Sequence, residues 1–512
     1  MTLSGSSGLR PEVLLTAGAV TASLLTLAIF VARAIALAGY GWDWSPDEGL
    51  FLDQARRTFH DFASLYGKSF VPYPSVYGPV LPALLSPVAG PVEEALRAAR
   101  ALALAWTLAG VAAVYALARP KAPVALALSA AALSVAPLDL TFWSMLIRPD
   151  GLMQALWLLS AVALLPRALS RSADRLTGAR LAIGTVLLLA AVLTKATALL
   201  LAAPLVLGWL LVDRASATRL VLAFGLGGLG LIALLQWATA GGFLWPNRAW
   251  GAHPWQPWLW RIVLVVFASR AWPLFALGLL TLAATRSRWR QALGDGSLLL
   301  VAGGLAALPL TGMYGAWWHY LLPLLPALAI LIGRSWGSEV ATSPRFPAAA
   351  LGAALIASVA LALATTRTFP LPSAQDQRTA AAFYDYVRSH TRQSGGPILA
   401  IRPELAYYVV GQPVEMEGSG YLPLAQARAP GTQLISERLG RGAYSLVVVM
   451  WPLAPADIEA VGRNYAAVGT CDLGYFFGPW QARLLARRDA WRPLAPPPGT
   501  RCRPPETVPV PH

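Results

Sequence analysis

The chain has 512 residues, of which 56% are hydrophobic and 13% charged, about half the charged share of an ordinary soluble protein. With a mean hydropathy of +0.54, this composition excludes a disordered chain and a wholly soluble one. The net charge of +15 does not mark a nucleic-acid binder, because the basic residues fall in short loops between apolar runs.

Those runs set the order of elements. The first, from Val13 to about Ala32, exceeds the core of a cleaved signal peptide and reads as a retained span. Candidate spans follow at roughly 13–39, 98–118, 122–138, 151–166, 181–194, 196–213, 220–240, 262–285, 297–312, 320–334 and 346–366. Only Thr194 and Lys195 divide the fifth from the sixth, and charge counting decides that they are separate. With eleven spans and an internal N-terminus, the inner loops hold Arg119 and Lys121, Arg167, Arg171, Arg175 and Arg180, Arg214 and Arg219, Arg286, Arg288 and Arg290, and Arg334 and Arg345. Merging the two would put the triple-arginine cluster outside, against the positive-inside bias.

The resulting hairpin has arms of about 14 and 18 residues, or roughly 21 and 27 Å of helix, against a hydrocarbon core of about 30 Å. Its tip, with Lys195, is therefore expected below the outer membrane surface, where a charge must face protein or a water-filled cavity. Three of the 40 basic residues are lysine, namely Lys68, Lys121 and Lys195. One of the three thus sits where a lysine is costly.

Two outer segments are large. The loop at 40–97 joins an amphipathic stretch, Leu50 to Phe62, to a proline- and tyrosine-rich one, and is far longer than a connection between packed helices. After about Arg367 the composition turns polar, with strand-like runs at 397–402, 445–451 and 480–487 and helical ones near 375–391 and 454–465. The expected architecture is a polytopic α-helical membrane protein of about eleven transmembrane helices with a small C-terminal α/β extracytoplasmic domain. The membrane part spans 1–367, the α/β domain 368–492 and a proline-rich tail 493–512. Cys471 and Cys502 are the only cysteines. Confined to this segment, they read either as a disulfide in an oxidising space or as two free thiols.

The strongest chemical signal is Asp47-Glu48 in WSPDEGLFLDQARRTF, at the start of a surface helix. Carboxylates at a helix N-terminus are ordinary capping groups. This pair, however, overlies the sunken hairpin, so a carboxylate there can meet Lys195. Arg148-Pro149-Asp150 opens the fourth span, and His319-Tyr320-Leu321-Leu322-Pro323 opens the tenth. Proline at the first helical position with an adjacent ion pair accounts for the former, and an interfacial aromatic belt with Trp317 and Trp318 for the latter. Chemistry accounts for both equally well.

Taken in order, these pieces resemble the GT-C class of lipid-phosphate-sugar-dependent glycosyltransferases, which includes protein O-mannosyltransferases and the lipid A aminoarabinose transferase. The resemblance rests on Asp47-Glu48 with Ala55-Arg56, Tyr77-Gly78-Pro79, Arg148-Pro149-Asp150, Thr194-Lys195 and His319-Tyr320. It covers roughly residues 10–335. It implies transfer of a sugar from a polyprenyl-phosphate donor to an acceptor hydroxyl, with inversion. Asp47 would be the base, Glu48 its orienting or sharing partner, and Lys195 and Arg148 the cations on the lipid phosphate.

His319, Tyr320, Tyr77, Asp150 and Asp139 are substrate-binding candidates, and Tyr73 a cleft-lining one. Lys68 reads as a solvated loop charge, and Arg33 as a snorkelling one. Arg270 is intramembrane unless 255–267 is a surface helix. No obligatory metal is expected. His253 lacks HxH or HExxH spacing and is the weak candidate for holding a divalent ion with a carboxylate. The expected location is a bacterial inner membrane, with a lipid or glycan acceptor at the cell envelope. A transporter or flippase of lipid-linked glycans is the competing reading, disfavoured because one short hairpin has no partner in the other half. A non-catalytic scaffold is the third.

Overall fold

The computed structural model describes residues 11–489 and 502–503, apart from 46, 69–71, 91, 166–175, 252, 285–292, 294–295, 314, 338–344, 366–370, 401–404, 406–431, 450–452, 454 and 476–478. Arg167, Arg171, Arg175, Arg286, Arg288 and Arg290 lie outside the described residues, as does nearly all of the tail.

Each expected apolar segment is helical for much of its length. In chain order they are α1 (Pro11–Ala38), α4 (Val92–Ala118), α5 (Val124–Leu133) with α6 (Leu138–Thr141), α7 (Pro149–Leu164), α8 (Gly178–Thr194), α9 (Ala198–Val212), α10 (Arg214–Ala238), α12 (Pro257–Ala284), α13 (Ser297–Ala306), α14 (Leu324–Gly337) and α15 (Arg345–Thr365). Between them lie α2 (Glu48–Arg57) and α3 (Val80–Leu85) in the first loop and α11 (Trp245–Trp250) before α12. Among the described residues, five helices are long and apolar enough to cross a bilayer, or six if the pair bent by 63° at 134–137 is one span; five more apolar helices are 10–17 residues long. The protein is thus a helical, multi-pass membrane protein. Because α12 is continuous from Pro257, Arg270 falls in its middle rather than at the end of a surface helix.

The first loop is seated on the hairpin by close backbone approach. A Cβ on Gly78 would overlap the Leu193 carbonyl at the end of α8, and one on Gly242 would overlap the carbonyl of Tyr66. The Tyr66 hydroxyl donates to the Tyr77 carbonyl at 3.0 Å. Glycine is needed at 78 because any side chain would separate the two backbones. The loop therefore rests directly on the strip of chain that carries Lys195.

The C-terminal segment adds α16 (Ala374–Ser394), α17 (Gln433–Gly440) and α18 (Pro455–Asn464) and a five-stranded sheet of order β1-β2-β4-β3-β5. The strands are β1 (Ile398–Ala400), β2 (Leu446–Val449), β3 (Tyr465–Tyr475), β4 (Pro479–Arg487) and β5 (Cys502–Arg503). Only β1 and β2 run parallel. The longest strand, β3, was not expected. Gly469, Asp472 and Gly474 read as turn residues, whereas the strand absorbs them through register shifts at 467–469 and 472–475. A disulfide joins Cys471 to Cys502 across β3 and β5. One apolar cluster runs from Trp42, Phe51 and Leu52 through Ala99 and Ile147 to Phe383, Tyr384 and the sheet. Trp42 stacks on Tyr384 with ring centroids 4.1 Å apart. The sheet domain and the first loop thus share one core at the same end of the bundle.

Gly78→Val forces the loop off the hairpin and is expected to lower stability in detergent by about 1–3 kcal/mol, the usual cost of overpacking. Thermal unfolding of the purified variant checks this; a melting curve superimposable on wild type would mean the loop is not seated on Leu193.

Candidate active site

Asp47 and Glu48 begin α2, yet they do different things. Glu48 is fully buried. Its Oε1 and Oε2 accept from Nε and Nη2 of Arg100 at 2.9 and 2.6 Å. The backbone N–H groups of Trp44 (2.8 Å), Ser45 (3.4 Å) and Ile147 (3.3 Å) also donate to this carboxylate. Arg100, from the third turn of α4, spends its other donors on the carbonyls of Leu37, Tyr40 and Trp42. The pair therefore ties together the end of α1, the start of α2, α4 and the extended segment leading into α7. An isolated buried charge would be untenable; a bidentate pair with its remaining lone pairs satisfied is stable.

With Glu48 committed in this way, Asp47 is left to face the site. It stands at the N-cap position of α2 but makes no side-chain capping bond. Asp43 takes that task, accepting from the Gly49 N–H at 2.8 Å. Asp47 instead pairs with Nη1 of Arg148, and its side chain keeps 18% of its surface exposed against 6% for Arg148. The capping account of Asp47 does not describe this geometry.

Arg148 has extended backbone before Pro149, as the residue preceding proline prefers. Its Nε lies 3.4 Å from Oδ2 of Asp150, and its guanidinium lies 4.3 Å from the centre of the Trp143 ring. Asp150, in the first turn of α7, accepts from Nζ of Lys195 at 2.5 Å. Lys195 follows the end of α8 in extended conformation, is 3% exposed, and places Nζ 4.0 Å from the centre of the Tyr320 ring. The His319 ring lies 5.5 Å from Trp143 and 4.8 Å from Tyr320. His319 is buried, and its Nδ1 has no hydrogen-bond partner among the described residues.

The result is an alternating line of charge, Asp47–Arg148–Asp150–Lys195, with aromatic walls at Trp143 and Tyr320. Two cations confined there can hold an anion that displaces one of their carboxylate partners, and the exposed end carries a carboxylate able to take a proton.

Three of the expected site residues lie outside the charged line. Glu48 is a structural anchor bound to Arg100 and does not reach the Arg148 network. Asp139 is bound elsewhere, accepting from Nη1 of Arg270 at 2.9 Å. Tyr77 contributes its carbonyl to Tyr66 and Ser75, while its ring lies 5.6 Å from Phe51, one layer from the charges. His253 is buried before α12, and among the described residues no three His, Cys, Asp or Glu could hold a metal ion together. Lys68 is exposed near Gly241. Arg100 and Trp143 were not singled out from sequence. A charge within the apolar run at 98–118 was the available signal for Arg100, since it needs a buried partner.

No family model and no curated protein matches the sequence. The fold does match solved structures. ArnT, an aminoarabinose transferase, from Cupriavidus metallidurans in the apo state aligns with a TM-score of 0.56 and 13% identity, over 90% of this chain and 97% of that one. The same protein bound to undecaprenyl phosphate gives 0.57 and 13%, over 92% and 99%. The oligosaccharyltransferase of Archaeoglobus fulgidus in the apo form gives 0.52 and 12%, over 87% and 73%. The chain has the GT-C fold.

The two neighbouring carboxylates are separable by experiment. Glu48→Ala leaves Arg100 buried and unpaired and is expected to cost about 3–5 kcal/mol. Asp47→Ala should cost much less, because Arg148 keeps Asp150 as a partner. Equal destabilisation by both would refute the division of roles.

Proposed function

We propose that this chain is a glycosyltransferase that moves a sugar from a polyprenyl-monophosphate donor to an acceptor hydroxyl, with inversion, on the outer face of a bacterial inner membrane. The observation that carries this reading is the Asp47–Arg148–Asp150–Lys195 line, which gathers one accessible carboxylate and two confined cations at one end of an apolar bundle. A solved neighbour of the same fold is bound to undecaprenyl phosphate, which supports a lipid monophosphate as the donor's carrier.

The acceptor oxygen attacks the anomeric carbon while its proton passes to the Asp47 carboxylate. The bond from that carbon to the phosphate oxygen breaks, and its electron pair stays on the departing lipid phosphate. Arg148 and Lys195 hold the growing charge. In the ligand-free arrangement Arg148 is engaged by Asp47; a donor phosphate competes for the guanidinium and releases the carboxylate to act as base. Donor binding thereby arms the acceptor side. Asp150 positions both cations, and His319 lies beside it to contact sugar or phosphate.

Read as eleven crossings from an internal N-terminus, the chain has this end outside. Arg119, Lys121, Arg180, Arg214, Arg219 and Arg334 then fall on the other side, the cytoplasmic one by the positive-inside rule. The C-terminal sheet then lies outside with the disulfide, in an oxidising space. With two cations at the phosphate, no obligatory metal is called for.

Asp47→Asn is expected to lower turnover by about 10²–10⁴-fold, and Lys195→Ala to raise KM for the donor more than for the acceptor. Both are read with a labelled lipid-phosphate sugar and protein in detergent, where a transporter cleaves nothing. Near-normal turnover by Asp47→Asn removes it from the base role. Turnover should survive EDTA; loss restored by a divalent ion would reverse the metal assignment, with His253 the first residue to test.

A further inference from the structure

A second cluster of charge lies away from the reacting line. Arg270, midway along α12, donates to Asp139 at 2.9 Å and has 22% of its side chain exposed. Arg33, near the end of α1, feels the same carboxylate electrostatically. Arg33 makes no hydrogen bond or ion pair with any described residue, and Asp139 is the single described partner of Arg270. Two guanidiniums against one carboxylate leave one positive charge and most of ten N–H donors unspent. In a membrane protein such groups face a partner or an interface.

A small cleft beside Arg33 is lined by Arg33, Leu37, Trp44, Phe142, Met145 and Leu371. Arg33 is five residues before the end of α1 at Ala38, about 7.5 Å along the helix, and Leu371 follows the last apolar helix. Ile35 and Leu371 are exposed beside it, offering apolar surface to acyl chains. The cleft is separated from the reacting line by the turn Phe142–Met145. Phe142 and Met145 face the cleft, while Trp143 lies against Arg148.

We infer that Arg33 and Arg270, gathered around Asp139, bind the phosphate of an anionic phospholipid from the surrounding leaflet. A guanidinium pair is suited to phosphate because its planar donors match the oxygens, and the surplus charge selects an anionic over a zwitterionic headgroup. The wall formed by Trp44, whose backbone N–H donates to Glu48, puts this lipid against the loop that carries Asp47. The inference stands on these residues alone and does not depend on sugar transfer.

The test is native mass spectrometry of the full chain released from detergent with palmitoyl-oleoyl phosphatidylglycerol or phosphatidylcholine. Wild type is expected to retain phosphatidylglycerol preferentially. Arg33→Gln should weaken that retention about tenfold, as loss of one charge-assisted phosphate contact does, and Arg33→Lys should be intermediate. Leu371→Glu, at an exposed rim position where folding is not at risk, should weaken it as well. Equal retention by wild type, Arg33→Gln and Leu371→Glu overturns the site, as does equal retention of the two lipids. Arg33-dependent retention of undecaprenyl phosphate in preference to phosphatidylglycerol overturns the phospholipid assignment.

Discussion

The site depends on the buried pair of Glu48 and Arg100. Neither residue touches the charged line, yet together they tie the segments that carry Asp47 and Arg148 to the end of α1 and to α4. The carboxylate takes both prongs of the guanidinium and three backbone N–H groups, and the guanidinium takes three carbonyls. Every group is satisfied, so the charge is tolerated in the interior and the geometry is over-determined. Asp47 is then held by its neighbour's anchorage rather than by its own capping bond. Asp47 is left to pair with Arg148 because the neighbouring acidic residues, Asp43 and Glu48, have taken over the structural tasks.

Much of the fold was legible in the sequence because apolar length is a strong and local signal. Lys195 was legible for the same reason, as a charge at a break too deep to be solvated. The helix-opening residues Arg148, Asp150, His319 and Tyr320 stood out by their positions next to proline or at the start of an apolar run. What the sequence did not disclose is pairing across distance. Nothing local distinguishes Glu48 from Asp47; the difference is an arginine 52 positions away. Asp139 likewise looked available until Arg270, from a helix 131 residues on, was seen beside it. The strand β3 was hidden because its glycines and Asp472 carry turn chemistry, which bulges and the neighbouring strands override.

Two groups of charge with opposite characters emerge. In the Asp47–Arg148–Asp150–Lys195 line cation and anion alternate and the sum is neutral, so an anion entering it must displace an existing partner; under the proposed function this couples donor binding to release of Asp47. Around Asp139 the cations are in excess, so an anion is accommodated without rearrangement. The first arrangement suits a ligand that must react and leave, the second one that stays.

The stacking of Trp42 on Tyr384 also constrains how the chain can be divided. Trp42, Phe51 and Leu52 are covered from above by the helix and sheet that follow the last apolar segment. Cutting the polypeptide near residue 370 would strip that cover and leave a greasy plateau facing water on both fragments. The two parts are therefore one unit of inheritance as well as of folding: a gene fusion or truncation at this seam exposes surfaces that only the intact polypeptide can hide.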